Sequence, residues 1–374
     1  MPTPFGIYVH VPWCASRCPY CSFTVYVDRS PPYAQWRDGI IADWGRVREH
    51  FDGPADSLFF GGGTPSLAEP AHIRQIREAL PLRPGAEVTL EANPGTISTE
   101  RLRAFQDAGV NRISVGVQTF NPRFARLLNR GHTVHQAQDL LQQVKAARFR
   151  SWSLDLMFAL PGQTTADIEI ELDAILRLQP PHVSLYGLTI KPGTPFERAV
   201  AQGKLVLPDD TVWREQYDRI VAGLSEAGWH RYEVSNFCRH DHNAVHNESV
   251  WRGEHYAGLG PGAHGFLPDG SRTRNHSTLK AWLEDGIDER EHPSPEQAAL
   301  DYLLTATRHV HGVSISALNH RGFTIPSSTR SRMVRAGWIK DSGTRLSLIG
   351  GGWALADGVT LQLADSMCPI PSET

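Results

Sequence analysis

Six short apolar runs, rich in β-branched and aromatic residues, recur through the first half of this 374-residue chain, at residues 7–11, 57–60, 88–91, 112–117, 152–158 and 182–190. Helical patterns separate most of them. Residues 99–108 set Leu102, Phe105 and Ala108 on one face, and Gly109 follows as a stop signal. Thr164-Thr165-Ala166-Asp167 offers a capping-box start to the periodic residues Ile168, Leu172 and Ile175. Pro208-Asp209-Asp210 opens a further helix that closes at Ala227-Gly228. Strand–helix alternation at this spacing predicts an α/β fold with a parallel sheet of βαβ units. Six units suit an incomplete, TIM-like (β/α)6 barrel, open on one side, better than a full eight-fold one. In such folds reactive residues gather at the C-terminal ends of the strands.

The texture changes near residue 290. Residues 294–309 and 327–336 read as helices, and residues 338–363 as short strands broken by Gly343 and Gly350-Gly351-Gly352. The expected organisation is a partial barrel over 1–230, a connecting region over 231–290, and a small α+β, winged-helix-like accessory domain over 291–374. With 37 basic and 40 acidic residues the formal net charge is -3, which gives no general pull toward nucleic acid. No apolar run approaches the ~18 residues needed to span a bilayer. Met1-Pro2-Thr3-Pro4 leads straight into the first run, so no signal peptide is expected. A cytoplasmic chain follows, with peripheral docking at the inner membrane left open.

Directly after the first run, Cys14, Cys18 and Cys21 fall within eight residues. Thiolates clustered on one loop select zinc, copper(I) or an iron–sulfur cluster. The count of three is informative, because a closed zinc site wants four ligands. A four-iron cluster held by three thiolates keeps one iron free for a small molecule. A Cys3His zinc site that uses His10, in a zinc-stabilised binding module, is the alternative. Five cysteines in all, an odd number, argue against a disulfide framework. Cys238 and Cys368 have no partner spacing.

Polar residues punctuate the strand ends. Gly61-Gly62-Gly63-Thr64-Pro65 follows the second run, where glycines let a backbone pass close to a ligand. Glu91 ends the third run, Gln118 the fourth, and Arg130 follows in Leu128-Asn129-Arg130-Gly131-His132. Asp155 sits among apolar neighbours in the fifth and needs a partner if buried, either a charged ligand or Arg130.

The C-x3-C-x2-C spacing resembles the hallmark of the radical S-adenosylmethionine (SAM) superfamily, which implies a [4Fe-4S] cluster and SAM as cofactors. YVHVPWC-x3-C-x-YC-x-F, GGGTP, EANP, VGVQTF, LNRGH and SLDLMFALPG together resemble the oxygen-independent coproporphyrinogen III oxidase group across roughly residues 5 to 265. The resemblance implies cluster ligands Cys14, Cys18 and Cys21. It implies SAM contacts at Tyr8, Gly62, Gly63, Thr64, Glu91, Gln118, Arg130 and Asp155, with Tyr20 at an aromatic position beside a second SAM.

Two branches of that group differ. The oxidases carry a fourth cysteine two residues past the third, and a longer segment before the cluster. Here Phe23 occupies the fourth position and thirteen residues precede Cys14. Both departures point to the heme-chaperone branch, HemW. That branch implies heme as ligand and heme-accepting respiratory membrane proteins as partners, and leaves SAM cleavage open. Propionate decarboxylation by an oxidase is the alternative. His246-Asn247-Glu248-Ser249-Val250-Trp251 resembles the branch's HNxxYW motif, with valine for tyrosine. It implies a heme site at His246, Asn247 and Trp251, since imidazole is a usual axial ligand and aromatic rings pack on porphyrin faces.

Overall fold

The computed structural model describes residues 3–370; Met1, Pro2 and residues 371–374 lie outside the described residues. Six parallel strands follow one another in sequence order: β1 (Phe5–Val11), β2 (Ala55–Gly62), β3 (Leu82–Ala92), β4 (Arg112–Gln118), β5 (Ser151–Phe158) and β6 (His182–Gly187). Helices α1 (Tyr33–Val47), α2 (Pro70–Ala79), α3 (Thr99–Asp107), α4 (Val134–Ala147), α5 (Thr165–Leu178) and α6 (Asp210–Glu226) alternate with them. The Thr164–Asp167 capping box is present at the start of α5.

Six more strands extend this sheet at both edges: β7 (His230–Arg231), β8 (Asn236–Cys238), β9 (His255–Leu259), β10 (His264–Phe266), β11 (Arg272–Asn275) and β12 (Ile287–Glu291). The sheet runs β12-β11-β10-β9-β1-β2-β3-β4-β5-β6-β8-β7 and does not close. β9 pairs parallel with β1, so the strand run 5–11 is central and not an edge. Between β8 and β9 lies the short helix α7 (Val245–Trp251).

Alternation along each strand separates two environments. Ile7, Val9, Leu58, Phe60, Leu90, Ile113, Val115, Leu154, Leu156, Val183 and Leu185 are buried beneath the helices. The opposite parity carries polar residues: Glu91 on β3, Arg112 and Ser114 on β4, Asp155 on β5 and Ser184 on β6 line a cavity inside the barrel. The outer layer holds the fold together, since deleting one buried Leu side chain costs about 2–5 kcal/mol.

The C-terminal unit contains α8 (Pro295–Ala306), a short helix at Ile315–His320, and α9 (Ser327–Arg335). A three-stranded antiparallel sheet joins Val313–Ser314, Arg345–Leu348 and Ile339–Asp341. This is the expected helix–hairpin pattern, with one correction. Residues 338–363 are not all strand, because α10 (Ala356–Ser366) occupies the end of that stretch. Ala356, Val359, Thr360 and Leu363 are buried at helical spacing and dock it on the unit.

Asp43 of α1 clamps the β9–β11 region to the barrel. Its side chain is 1% exposed. One carboxylate oxygen accepts from the Gly260 N–H, Asn275 Nδ2 and Trp282 Nε1, each at 2.9 Å. Asp43→Ala strands three buried donors, and we expect a stability loss of about 3 kcal/mol in urea unfolding. A loss below about 1 kcal/mol would contradict the clamp.

Candidate functional site

The cysteine loop is closed at its root. Trp13–Cys14 pairs with Tyr26–Val27, and the Tyr26 N–H donates to Pro12 O at 2.6 Å. Trp13 is buried edge-on against Tyr33 and Trp36. The glycine turn after β2 docks on this root, with the Gly63 N–H on Val11 O and the Thr64 N–H on Trp13 O, both at 2.8 Å. Gly62 has φ +110°, and a Cβ there would lie 2.4 Å from the His10 ring. A Cβ on Gly63 would lie 2.7 Å from Trp13 O. No other residue type fits at these two positions.

From this root a hydrogen-bonded chain reaches across the barrel mouth. Thr64 Oγ1 donates to Cys14 Sγ at 3.5 Å and accepts from Asn93 Nδ2 at 3.0 Å. Arg130 donates to Asn93 Oδ1 at 2.5 Å, Gly116 O at 2.6 Å, the Tyr20 hydroxyl at 3.4 Å and Cys18 Sγ at 3.6 Å. Arg130 is therefore spent on the loop, and Asp155 is met otherwise than expected. The hydroxyls of Ser114 and Ser153 donate to it at 2.6 and 2.7 Å.

Cys14, Cys18, Cys21, Gly62, Gly63, Thr64, Glu91, Gln118, Arg130, Asp155 and Asn247 line one cavity of about 600 Å³. Tyr20 joins them. Tyr8, His246 and Trp251 do not. Tyr8 lies behind Gly61 with its hydroxyl 3.0 Å from His10 Nδ1. His246 is buried at the foot of the barrel, where Nδ1 lies 3.0 Å from Ser57 Oγ and the ring stacks on Phe59 at 5.1 Å. Burial pushes its pKa down to about 4, so the imidazole is neutral. Trp251 faces the C-terminal unit under the Arg308 guanidinium. Asn93, Arg112, Ser114 and Tyr186 also line the cavity, and their strand-end or alternating positions were the available signal.

Three free thiols on one loop, facing a cavity, are a suitable donor set for a cluster with an open iron. Burial raises the pKa of Cys14 and Cys21, which keeps them protonated until a metal displaces the proton. His10 is not available for a Cys3His zinc site. Its Nδ1 meets Tyr8, and its Nε2 lies 2.8 Å from Thr24 O. Among the described residues no three His, Cys, Asp or Glu side chains converge on a single metal ion. Cys238 is a buried thiol that donates to Asn243 Oδ1 at 2.8 Å, with its pKa pushed up to about 11 by burial. Cys368 lies in a short strand beside Thr324.

At the end of β4, Gln118 takes a left-handed conformation, φ 72°. Buried Glu171 secures the turn that follows by accepting from the Thr119 hydroxyl at 2.5 Å and the Phe120 N–H at 2.9 Å. Across the cavity, Glu91 accepts the Gly62 N–H at 3.1 Å. Burial, and then the neighbouring Asp155, push the Glu91 carboxyl up to about 8.

Comparison with known proteins bears on this geometry. The Radical SAM superfamily model matches residues 8–175. Heme chaperone HemW of Synechocystis is 34% identical over 334 residues, covering 84% of this chain and 80% of that protein. The chain belongs to the radical SAM superfamily, in its HemN/HemW-like group. HemW of Escherichia coli K12 is 36% identical over 283 residues, 74% of each chain. Radical S-adenosyl methionine domain-containing protein 1, mitochondrial, of Danio rerio is 40% identical over 292 residues, 75% of this chain. The chain spans 66% of the length of that zebrafish relative. Coproporphyrinogen III oxidase (HemN) from E. coli superposes with a TM-score of 0.80 over 97% of this chain and 90% of its own, at 21% identity, which establishes the shared fold. The superfamily's cofactors, a [4Fe-4S] cluster and SAM, follow from membership.

Glu91 gives the site a pH signature. Its folded pKa, about 8, lies above the ordinary 4.5. Between those values the folded protein holds a proton that the unfolded chain has released, so stability falls as pH rises through the window. In cluster-free protein, Glu91→Gln is expected to shrink the drop in thermal midpoint between about pH 5 and pH 8 by a few degrees. An unchanged drop would contradict the assignment.

Proposed function

We propose that this protein is a HemW-type heme chaperone that binds a [4Fe-4S] cluster, SAM and heme, acts in the cytoplasm, and passes heme to respiratory membrane proteins at the inner membrane. The observation that carries this proposal is the 34% identity to Synechocystis HemW over 84% of the chain. The loop adds support. Phe23, where an oxidase would place a fourth cysteine, is 63% exposed and lines the cavity beside Cys21. It offers a flat aromatic face to a macrocycle. Among the described residues no helix is long and apolar enough to cross a membrane, so contact with a membrane acceptor would be peripheral.

Cys14, Cys18 and Cys21 would hold the cluster. Gly62, Gly63, Thr64, Glu91, Gln118, Arg130 and Asp155 are the proposed surroundings of SAM, with Tyr8 supporting the glycine turn from behind. When bound, cluster and SAM supply one-electron chemistry at a sulfonium. The chain's own part is to pin the loop through Thr64, Asn93 and Arg130, and to present a buried carboxyl at Glu91 to a cationic ligand.

We further propose His246 as the heme-iron ligand, with Asn247 and Trp251 beside it. For that role the ring must leave Ser57 and Phe59, so α7 has to shift before iron binds. Hemin uptake followed at the Soret band is expected to reach a rate that no longer increases with hemin concentration, and His246→Ala should lose the ligand-dependent band. A rate linear to the highest hemin concentration, with the band intact in His246→Ala, would contradict the assignment. Absence of any Soret band in the wild type would contradict the heme function itself.

A further inference from the structure

β4 opens with Arg112, which lines the foot of the barrel cavity while its side chain is 3% exposed. A guanidinium presents five N–H donors and keeps its charge at any working pH. Among the described residues none of these donors makes a hydrogen bond, and Nε is fully enclosed without an acceptor. Glu87 Oε2 is 3.7 Å from Nε, beyond hydrogen-bond reach, and the other Glu87 oxygen accepts the His246 N–H at 3.2 Å. Glu87 thus answers the charge as an ion-pair partner but leaves the N–H donors without acceptors, and buried donors left so are costly.

Nearby, His182 meets Ser153 Oγ at 2.8 Å and the Tyr232 hydroxyl at 2.7 Å. Asp155 is satisfied by its two serines. Asn247, half-buried, also lines the cavity, and its amide has no hydrogen-bond partner among the described residues. A fixed cation with parallel donors, beside a free amide, matches a planar group with two acceptor oxygens.

We infer that the foot of the cavity is a carboxylate pocket built on Arg112 and Asn247, separate from the cysteine loop at the mouth. Phe59, across the cavity, supplies an apolar wall for the carbon chain that carries the acid. The cavity, about 600 Å³, is shared with the mouth residues, so with α7 in the position seen here its foot takes an acid arm or a small acid, and a macrocycle enters only once α7 has moved. Two sources share this chemistry: a propionate side chain of a tetrapyrrole, and a free small carboxylic acid. Only the first rests on the proposed heme function.

The test uses the full cluster-free chain and sodium propionate, with sodium chloride at equal ionic strength as the control. Wild type is expected to gain thermal stability with propionate, by linkage to binding. Arg112→Gln should abolish the gain. Asn247→Ala, a smaller change, should weaken the apparent affinity several-fold and keeps the test valid if Arg112→Gln does not fold. Arg112→Lys, which keeps charge but loses the paired donors, should weaken it at least tenfold. No gain over chloride in wild type, or equal gains in wild type and all variants, would overturn the pocket.

Hemin and its dimethyl ester then separate the sources. At least tenfold tighter binding of the free acid, lost in Arg112→Gln, assigns the tetrapyrrole arm. Equal binding of both forms, with the propionate response intact, assigns a free acid. Failure of hemin to bind at all, beside an intact propionate response, refutes the heme function and leaves the pocket standing.

Discussion

The close approach of two glycines to the root of the cysteine loop is the contact on which the site depends. Gly62 lies against the His10 ring and Gly63 against the Trp13 carbonyl, closer than a side chain permits. This approach brings Thr64 under Cys14, and the Asn93–Arg130 chain then reaches Cys18. The cysteines are thus carried by a short loop, yet that loop is referenced to three barrel strands. Displacing the turn would unseat the thiols and the carboxyl of Glu91 together, because Glu91 holds the Gly62 N–H.

A second consequence follows from strand parity. Apolar side chains on the outer face meet helices, and the inner face sets glycine, serine and charged groups beside Phe59, Met157 and Tyr186. Those groups are out of water, so desolvation dominates their ionisation. At Glu91 one backbone N–H does not offset burial beside Asp155, and at His132 burial together with Arg130 holds the imidazole near 4. Perturbed groups collected in one cavity mark a functional site on physical grounds, whatever ligand fills it.

Much of this was legible in the chain. The six parallel strands matched the apolar runs because each is buried on its outer face, which forces a β-branched or aromatic residue at alternate positions. The Thr164–Asp167 cap and the Gly109 stop were likewise local signals. What escaped was non-local. β9, inserted beside β1, is short and polar at its start, His255-Tyr256, so nothing in its composition marks a central strand. α10 was masked by the glycine run before it. Arg130 does not meet Asp155: Ser153, two residues before it on the same strand, and Ser114, brought alongside by a register the sequence does not print, donate to it instead. Burial of His246 beneath Gly6 and Ser57 is equally a tertiary fact, and it changes what heme ligation would demand. The missing acceptors around Arg112 are likewise set by tertiary packing and leave no mark on a residue that simply opens a strand.

The central claim, that Cys14, Cys18 and Cys21 hold a cluster whose open iron faces the cavity, is tested most directly by anaerobic reconstitution. Iron and acid-labile sulfide should be measured together with the electron paramagnetic resonance of the reduced protein before and after SAM. The account predicts about four irons and four sulfides per chain, a spectrum that changes on adding SAM, and loss of both in Cys18→Ala. One zinc with no iron, or a cluster that survives unchanged in Cys18→Ala, would contradict it.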